Sequence, residues 1–507
     1  YGSAVVFTGG ADTTVGTLTG LNGSIGTINS PTANIVFASG NLLLNDQITV
    51  GGNTVVNSGA ALTLGSPLTI TGNYSQSAGT LALANGGLMV SGAASITGGA
   101  VIASLSSTGN YLAGQVGGTL VQGGAGSNYT GASLLAGTPG IALTPGTIGN
   151  ALVAMSANDY IGGTQGSLVN TITITGVNTA LYVASSGSLG SLSNSGVLNG
   201  TIAGIQNLGA MGDVTNNVGG TITGGVNAIV NAGGANMGII ANSGLIAGNV
   251  VNLGTGGLIF TGGAGGTVGT LTGLSGSIGT ISNPNANIVF AGGNLLLNDQ
   301  ITVGGGNTVV NSGAGLTLGT PLTITGSYSQ GAGTLALTNG GLVVTGAASI
   351  TGGTVIASLS SSGNYLAGQA GQTLVQGGGG SSYAGVTIQT NAISGLVATA
   401  VTDSTNLVVQ GLNDYIGGTL GGVVNSQTIA GVDTALYVAS SGSLGSVSNT
   451  GLLSGTSGGV ANYGTIGLVT NGAAGTIAGG VNALYNDTNG VIGTLANSGT
   501  ITANSVG

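Results

Sequence analysis

This chain contains no lysine, arginine, histidine, cysteine, tryptophan or glutamate in 507 residues. Its nine acidic residues are all aspartates: Asp12, Asp46, Asp159, Asp213, Asp299, Asp403, Asp414, Asp433 and Asp487. Each absence excludes something. Without cations there is nothing to neutralise nucleic-acid phosphates or to contact anionic membrane surfaces. Without cysteine there are no disulfides or thiolate metal sites. Six prolines and the lack of a strict Gly-X-Y repeat exclude collagen. No uninterrupted apolar run of about 18 residues suggests a transmembrane helix, and 3% aromatics is too few for the girdles of a membrane barrel. With no His or Glu, stability is expected to be nearly flat between about pH 5 and 9. Trypsin has no site. What is present is glycine, at 109 residues, and a 41% hydrophobic content with mean hydropathy +0.53. That is ample apolar material to bury, unlike a disordered chain.

A long internal repeat organises the chain. GNLLLNDQITVGG occupies 40–52 and recurs at 293–305; GNYLAGQ occupies 109–115 and 363–369; NDYIGG begins at Asn158 and Asn413. The repeating unit is about 254 residues, dividing the chain into 1–253 and 254–507. Residues 130–157 and 384–412 match poorly. Phe7 pairs with Phe260 and Asn249 with Asn504, so the period closes almost to the residue.

A shorter rhythm lies inside each unit. Asn-x-Gly punctuates the chain at Asn194, Asn207, Asn217, Asn231, Asn242 and Asn252, echoed at Asn449, Asn462, Asn486 and Asn497. Asn and Gly tolerate positive φ, so each reads as a tight corner. Two corners per 20–25 residues fit one coil of a β-solenoid. LTLG and LTITG between 62 and 72, TLALANGGLMVSG at 80–92 and TITIT at 171–175 alternate apolar and small polar residues, as strands with one inward face do. Glycine at this density is incompatible with helix. The expected fold is all-β, a parallel β-helix of roughly two dozen coils stacked about 4.8 Å apart, a rod on the order of 100–120 Å long. Like residues stack on like in such a fold, so charge is disfavoured and asparagine ladders are favoured.

The segments GNYSQSAGTLAL, LMVSGAASITGGAVIASLSSTGNYLAGQ and TLVQGG within 72–124, their copies at 326–378, and the Asn-Gly-rich stretch 194–249 resemble passenger regions of bacterial autotransporter proteins. The resemblance implies a surface-exposed or secreted right-handed β-helix, often adhesive.

Candidate sites have plain competing readings. Asp46 and Asp299 could be hydrolase acids, but equivalent aspartates would lie roughly 50–60 Å apart in a rod, not the 5–10 Å or so that paired carboxylates need; they read as turn formers. Asp159 and Asp414, in Asn-Asp-Tyr, have too few carboxylate companions for Ca²⁺ and read as structural turns. Tyr74, Tyr111, Tyr182, Tyr328, Tyr365 and Tyr437 suggest a sugar-stacking platform or core packing, with packing favoured. The glycine-rich 376–382 lacks the lysine of a phosphate loop. The Thr-x-Thr runs lack the sustained array of ice-binding solenoids, and the sequons at Asn22, Asn73 and Asn128 follow from composition. No enzyme activity, cofactor or metal is expected. The expected role is a section or subunit of an extracellular, cell-surface fibre that continues end to end, with Tyr1, Val5, Val6, Phe7, Ile501, Asn504 and Val506 as the assembly interface. The alternative is an adhesin passenger that binds glycans through 130–157 and 384–412. Expected partners are further copies of the chain or its tandem continuation, then cell-surface glycans, with no nucleic acid and no membrane span.

Overall fold

The computed structural model describes residues 3–83, 87–337 and 341–504. These are almost entirely strand, with no α-helix among them and two single 3₁₀ turns, at Leu21–Gly23 and Leu274–Gly276. Among the described residues no helix is long and apolar enough to cross a membrane. The chain divides into two compact units, Tyr1–Gly256 and Gly257–Gly507.

Each unit is a stack of parallel β-coils, and each coil has three short strands. In the first unit Leu42 lies in register with Leu62, Leu62 with Leu81, and Leu81 with Val101. On a second face Ile35, Val55, Tyr74 and Ala94 follow one another, and on a third Ile48, Ile70 and Val90 do so. The alternation written in the sequence sets which side chains enter. In Asn41–Leu44, Ala61–Leu64 and Thr80–Leu83 the second and fourth residues are buried and the others are half-buried. Each enclosed Leu or Ile contributes roughly 1.5–3 kcal/mol by leaving water. A coil this narrow has space for only one layer of such side chains per face.

The second half of each unit uses longer coils. Ile174, Leu198, Ile222 and Ile246 stack at steps of 24 residues, as do Ile429, Leu453, Ile477 and Ile501. Leu181 lies under Ile205 and Ile229, and Leu436 under Val460 and Leu484.

Between the short-coil and long-coil parts the parallel stack is interrupted by antiparallel strands. Val116–Gln122 pairs antiparallel with Ala151–Ser156, which pairs antiparallel with Leu143–Ile148. In the second unit Ala370–Gln376, Asn406–Gly411 and Ala398–Asp403 repeat the arrangement. The hairpins occupy the poorly matched blocks 130–157 and 384–412. A residue in a hairpin pairs with its own neighbour rather than with a preceding coil, so it escapes the restriction to stackable residues.

Candidate functional site

The most distinctive interior feature is a pair of asparagine ladders in each unit. Asn170 Nδ2 donates to Asn194 Oδ1 at 2.7 Å, Asn194 to Asn216 at 2.8 Å, and Asn216 to Asn242 at 2.9 Å. A second column runs from Asn207 to Asn231 to Asn252, at 2.6 and 2.7 Å. In the second unit Asn425, Asn449, Asn471 and Asn497 are joined at 2.8 Å per step, and Asn462 donates to Asn486 at 2.7 Å.

These corners differ from the sequence expectation in two ways. None of the asparagines has positive φ; the only non-glycine residues that do among those described are Asp12, Asn22, Ser275 and Ser404. The amide itself turns the chain: Asn207 Oδ1 accepts the N–H of Gly209, and Asn462 Oδ1 that of Gly464. The glycine is required by proximity, since a Cβ at Gly209 would lie 2.3 Å from the Ala184 carbonyl oxygen and one at Gly464 2.3 Å from that of Ala439. Secondly, Asn216 rather than Asn217 occupies the ladder; Asn217 faces outward and donates to Ser193 and Ser195 hydroxyls at 3.0 Å. Sequence reasoning also missed the short-coil corners. Asn57 and Gln76, with Asn311 and Gln330, are fully buried there, and Gln76 accepts the phenol of Tyr74 at 2.7 Å as Gln330 does that of Tyr328. The available signal was a lone amide ending an alternating run.

Tyr74 and Tyr328 are therefore core residues and offer no platform. The other tyrosines form columns. Tyr111, Tyr160 and Tyr182 follow with ring centroids 6.1 and 5.6 Å apart. The second unit has five: Tyr365, Tyr415, Tyr437, Tyr463 and Tyr485, at 6.1, 5.8, 5.0 and 5.6 Å. Strand register creates these columns by placing Tyr160 beside Tyr182 and Tyr415 beside Tyr437. Tyr463 and Tyr485 correspond in the repeat to Leu208 and Val230, so comparing the units could not single them out. Stacking of ring on ring takes up the faces a sugar would use. The loop preceding the hairpin of each insertion closes on its column: a Cβ at Gly140 would lie 2.5 Å from the Tyr182 ring and one at Gly395 2.3 Å from that of Tyr437. Both glycines have positive φ, +87° and +82°, so the position is closed to other residues twice over. Beside the second column lies a cleft of about 500 Å³ bordered by Asn391–Ser394, Tyr415, Tyr437 and Tyr463.

The four repeated aspartates are buried hydrogen-bond acceptors. Asp46 Oδ1 accepts the Gly26 N–H at 2.8 Å and Asp299 Oδ1 that of Gly279 at 2.9 Å. Asp159 and Asp414 accept the N–H of Ala113 and Ala367 at 2.8 Å, tying the GNYLAGQ loop to the coil beyond the insertion. Asp299 is 0% exposed and Asp414 2%, and the Oδ2 of each lacks a hydrogen-bond partner. Desolvation pushes Asp299 up to about 7 and Asp159 up to about 6, each partly offset by its backbone N–H. Asp414 is raised for the same reason. These raised values run against the expectation that stability is nearly flat between about pH 5 and 9. No group of three or more His, Cys, Asp or Glu side chains converges among the described residues.

Of the expected assembly residues, Tyr1 and Val506 lie outside the described residues. Val5 and Val6 are exposed on Val5–Thr8, which pairs with Ile35–Ser39, and Phe7 stacks on Phe37 at 5.4 Å. Ile501 packs against the core of the second unit, while Asn504 is exposed and donates its N–H to the Gly479 carbonyl at 3.1 Å. No protein-family model, curated protein or solved structure matches the chain.

Proposed function

We propose that this chain is a structural β-solenoid, a section or subunit of an extracellular fibre at a cell surface, whose purpose is cohesion along the coil axis. The observation that carries this reading is the asparagine ladder: columns of two to four amides, in which each side-chain N–H donates to the amide oxygen on the next coil. Inside each column the amides are spent on one another rather than presented to a ligand. The ladder satisfies polar groups that would otherwise cost about 1–3 kcal/mol each, and it repeats wherever another coil is added. The edge strand Val5–Thr8, bearing exposed Val5 and Val6, suits pairing with a further coil, whether from the same polypeptide or from another copy. The scarcity of charge is consistent with this role, since stacked like charges would repel.

Electron microscopy of the protein purified without denaturant tests the proposal. Long filaments are expected, and Val5→Lys with Val6→Lys should shorten them by placing charges where coils meet. Separate particles from the parent chain would refute elongation. The adhesin reading is favoured by one observation: the two antiparallel insertions are freed from the stacking rule, and the second borders a cleft. Glycan-array binding that disappears when 384–412 is replaced by a short turn would support it.

A further inference from the structure

The tyrosine column of the second unit carries chemistry that a scaffold role does not require. The chain has no cysteine and no lysine, so neither disulfides nor amine-derived cross-links can join its coils. Tyrosine is the remaining side chain that readily forms covalent bridges under oxidation. The closest pair of rings is Tyr437 and Tyr463, with centroids 5.0 Å apart and planes inclined by 30°. They belong to successive coils: Tyr437 lies within Thr434–Val438, and Tyr463 directly follows Gly458–Asn462, which pairs with that strand. Both are half-buried, and both border the cleft of about 500 Å³, which leaves space for a ring to reorient. By contrast Tyr415 is enclosed, with its phenol donating to the Ser361 carbonyl at 2.8 Å. Tyr160 is held likewise on Ser107 at 2.9 Å. The first unit has Leu208 where Tyr463 stands.

We propose that Tyr437 and Tyr463 are an oxidative coupling site, at which a one-electron oxidant of the peroxide-charged haem peroxidase class joins successive coils through a dityrosine bond. Each phenol gives one electron to the oxidant and its phenolic proton to water. The two phenoxyl radicals form one carbon–carbon bond between ring positions ortho to oxygen. The hydrogen on each coupling carbon then moves to oxygen and restores the aromatic ring. In sum the two tyrosines lose two hydrogen atoms, and one hydrogen peroxide is reduced to two waters. Neighbouring rings at 5–6 Å offer a route by which an electron vacancy created elsewhere on the column reaches this pair.

The test is to expose the dilute full chain to a haem peroxidase and hydrogen peroxide, then measure dityrosine fluorescence, intact mass and the cross-linked peptides. The expected result is a chain lighter by two hydrogens, with the bond mapped to Tyr437–Tyr463 and the denaturation midpoint raised. Tyr463→Phe keeps the ring in the stack but cannot couple, so its signal should fall to background, whereas Tyr111→Phe should behave as the parent. Absence of dityrosine, a bond mapped to other tyrosines, coupling only between chains, or undiminished yield in Tyr463→Phe would overturn the proposal. These readouts use the isolated chain, so they are independent of whether it assembles into fibres.

Discussion

Raising the pH from about 4 to 8 should weaken this protein, chiefly through Asp299. Its carboxyl is fully buried, accepts one backbone N–H and leaves its second oxygen without a partner. Burial lifts its pKa from 3.8 to about 7. The folded state therefore holds a proton that the unfolded chain releases near pH 4. The associated stability is fully present below about pH 4, is lost progressively as pH rises through 7, and changes little beyond. Roughly three pH units at about 1.4 kcal/mol each make the loss on the order of 4 kcal/mol. Asp159, raised to about 6, adds a smaller loss of the same sign between about pH 4 and 6. The assay is chemical denaturation followed by circular dichroism from pH 3 to 9, with amide exchange at Gly279 as the local probe. Asp299→Asn retains an acceptor for Gly279 and cannot ionise. Its extra N–H₂ has no acceptor, at about 1–3 kcal/mol, so it should be less stable than the parent at pH 4 and comparable or better at pH 8. Replacing Asp159, Asp299 and Asp414 together by Asn should flatten the profile. A parent profile already flat from pH 4 to 8, or an equal decline in the triple variant, would refute the reasoning.

Further consequences follow from the ladders, the core and the loop contacts. Asn216→Asp removes the donor to Asn242 and sets a carboxylate among buried oxygens; a loss of about 3 kcal/mol or more at neutral pH is expected by denaturation, whereas outward-facing Asn217→Asp should cost about 0.5 kcal/mol or less. Leu62→Ala, which empties a position between Leu42 and Leu81, should cost about 2–5 kcal/mol, and Thr63→Ala far less. Gly395→Ala should displace the 391–397 loop from Tyr437, seen as altered tyrosine fluorescence and faster amide exchange in that loop, with coil circular dichroism unchanged; unaltered exchange would contradict the ring contact.

Much of the coil was legible from residues. The alternation in Ala61–Leu64 and Thr80–Leu83 marked the inward face because side-chain direction in a strand has a period of two. Asn-x-Gly found most ladder members because a corner and a stack both constrain the same position. It slipped by one at Asn216–Asn217, where two adjacent amides compete and only the coil below distinguishes them. The hairpins were visible only as a loss of repetition. Their antiparallel pairing is a choice of partner strand, and local propensity carries no record of the partner.

Composition and periodicity by themselves determined the class: all-β, stacked, without a stockpile of charge, and closed at its corners by amides. Those properties depend on what each residue can tolerate beside an identical neighbour, which is a property of the residue. The tertiary structure alone decided the acidity of Asp299 and Asp159, the reversal of the strands in the two insertions, and the alignment of five tyrosines into one column. Each of these depends on what lies across from a residue in the folded chain, and desolvation, pairing and stacking act through space.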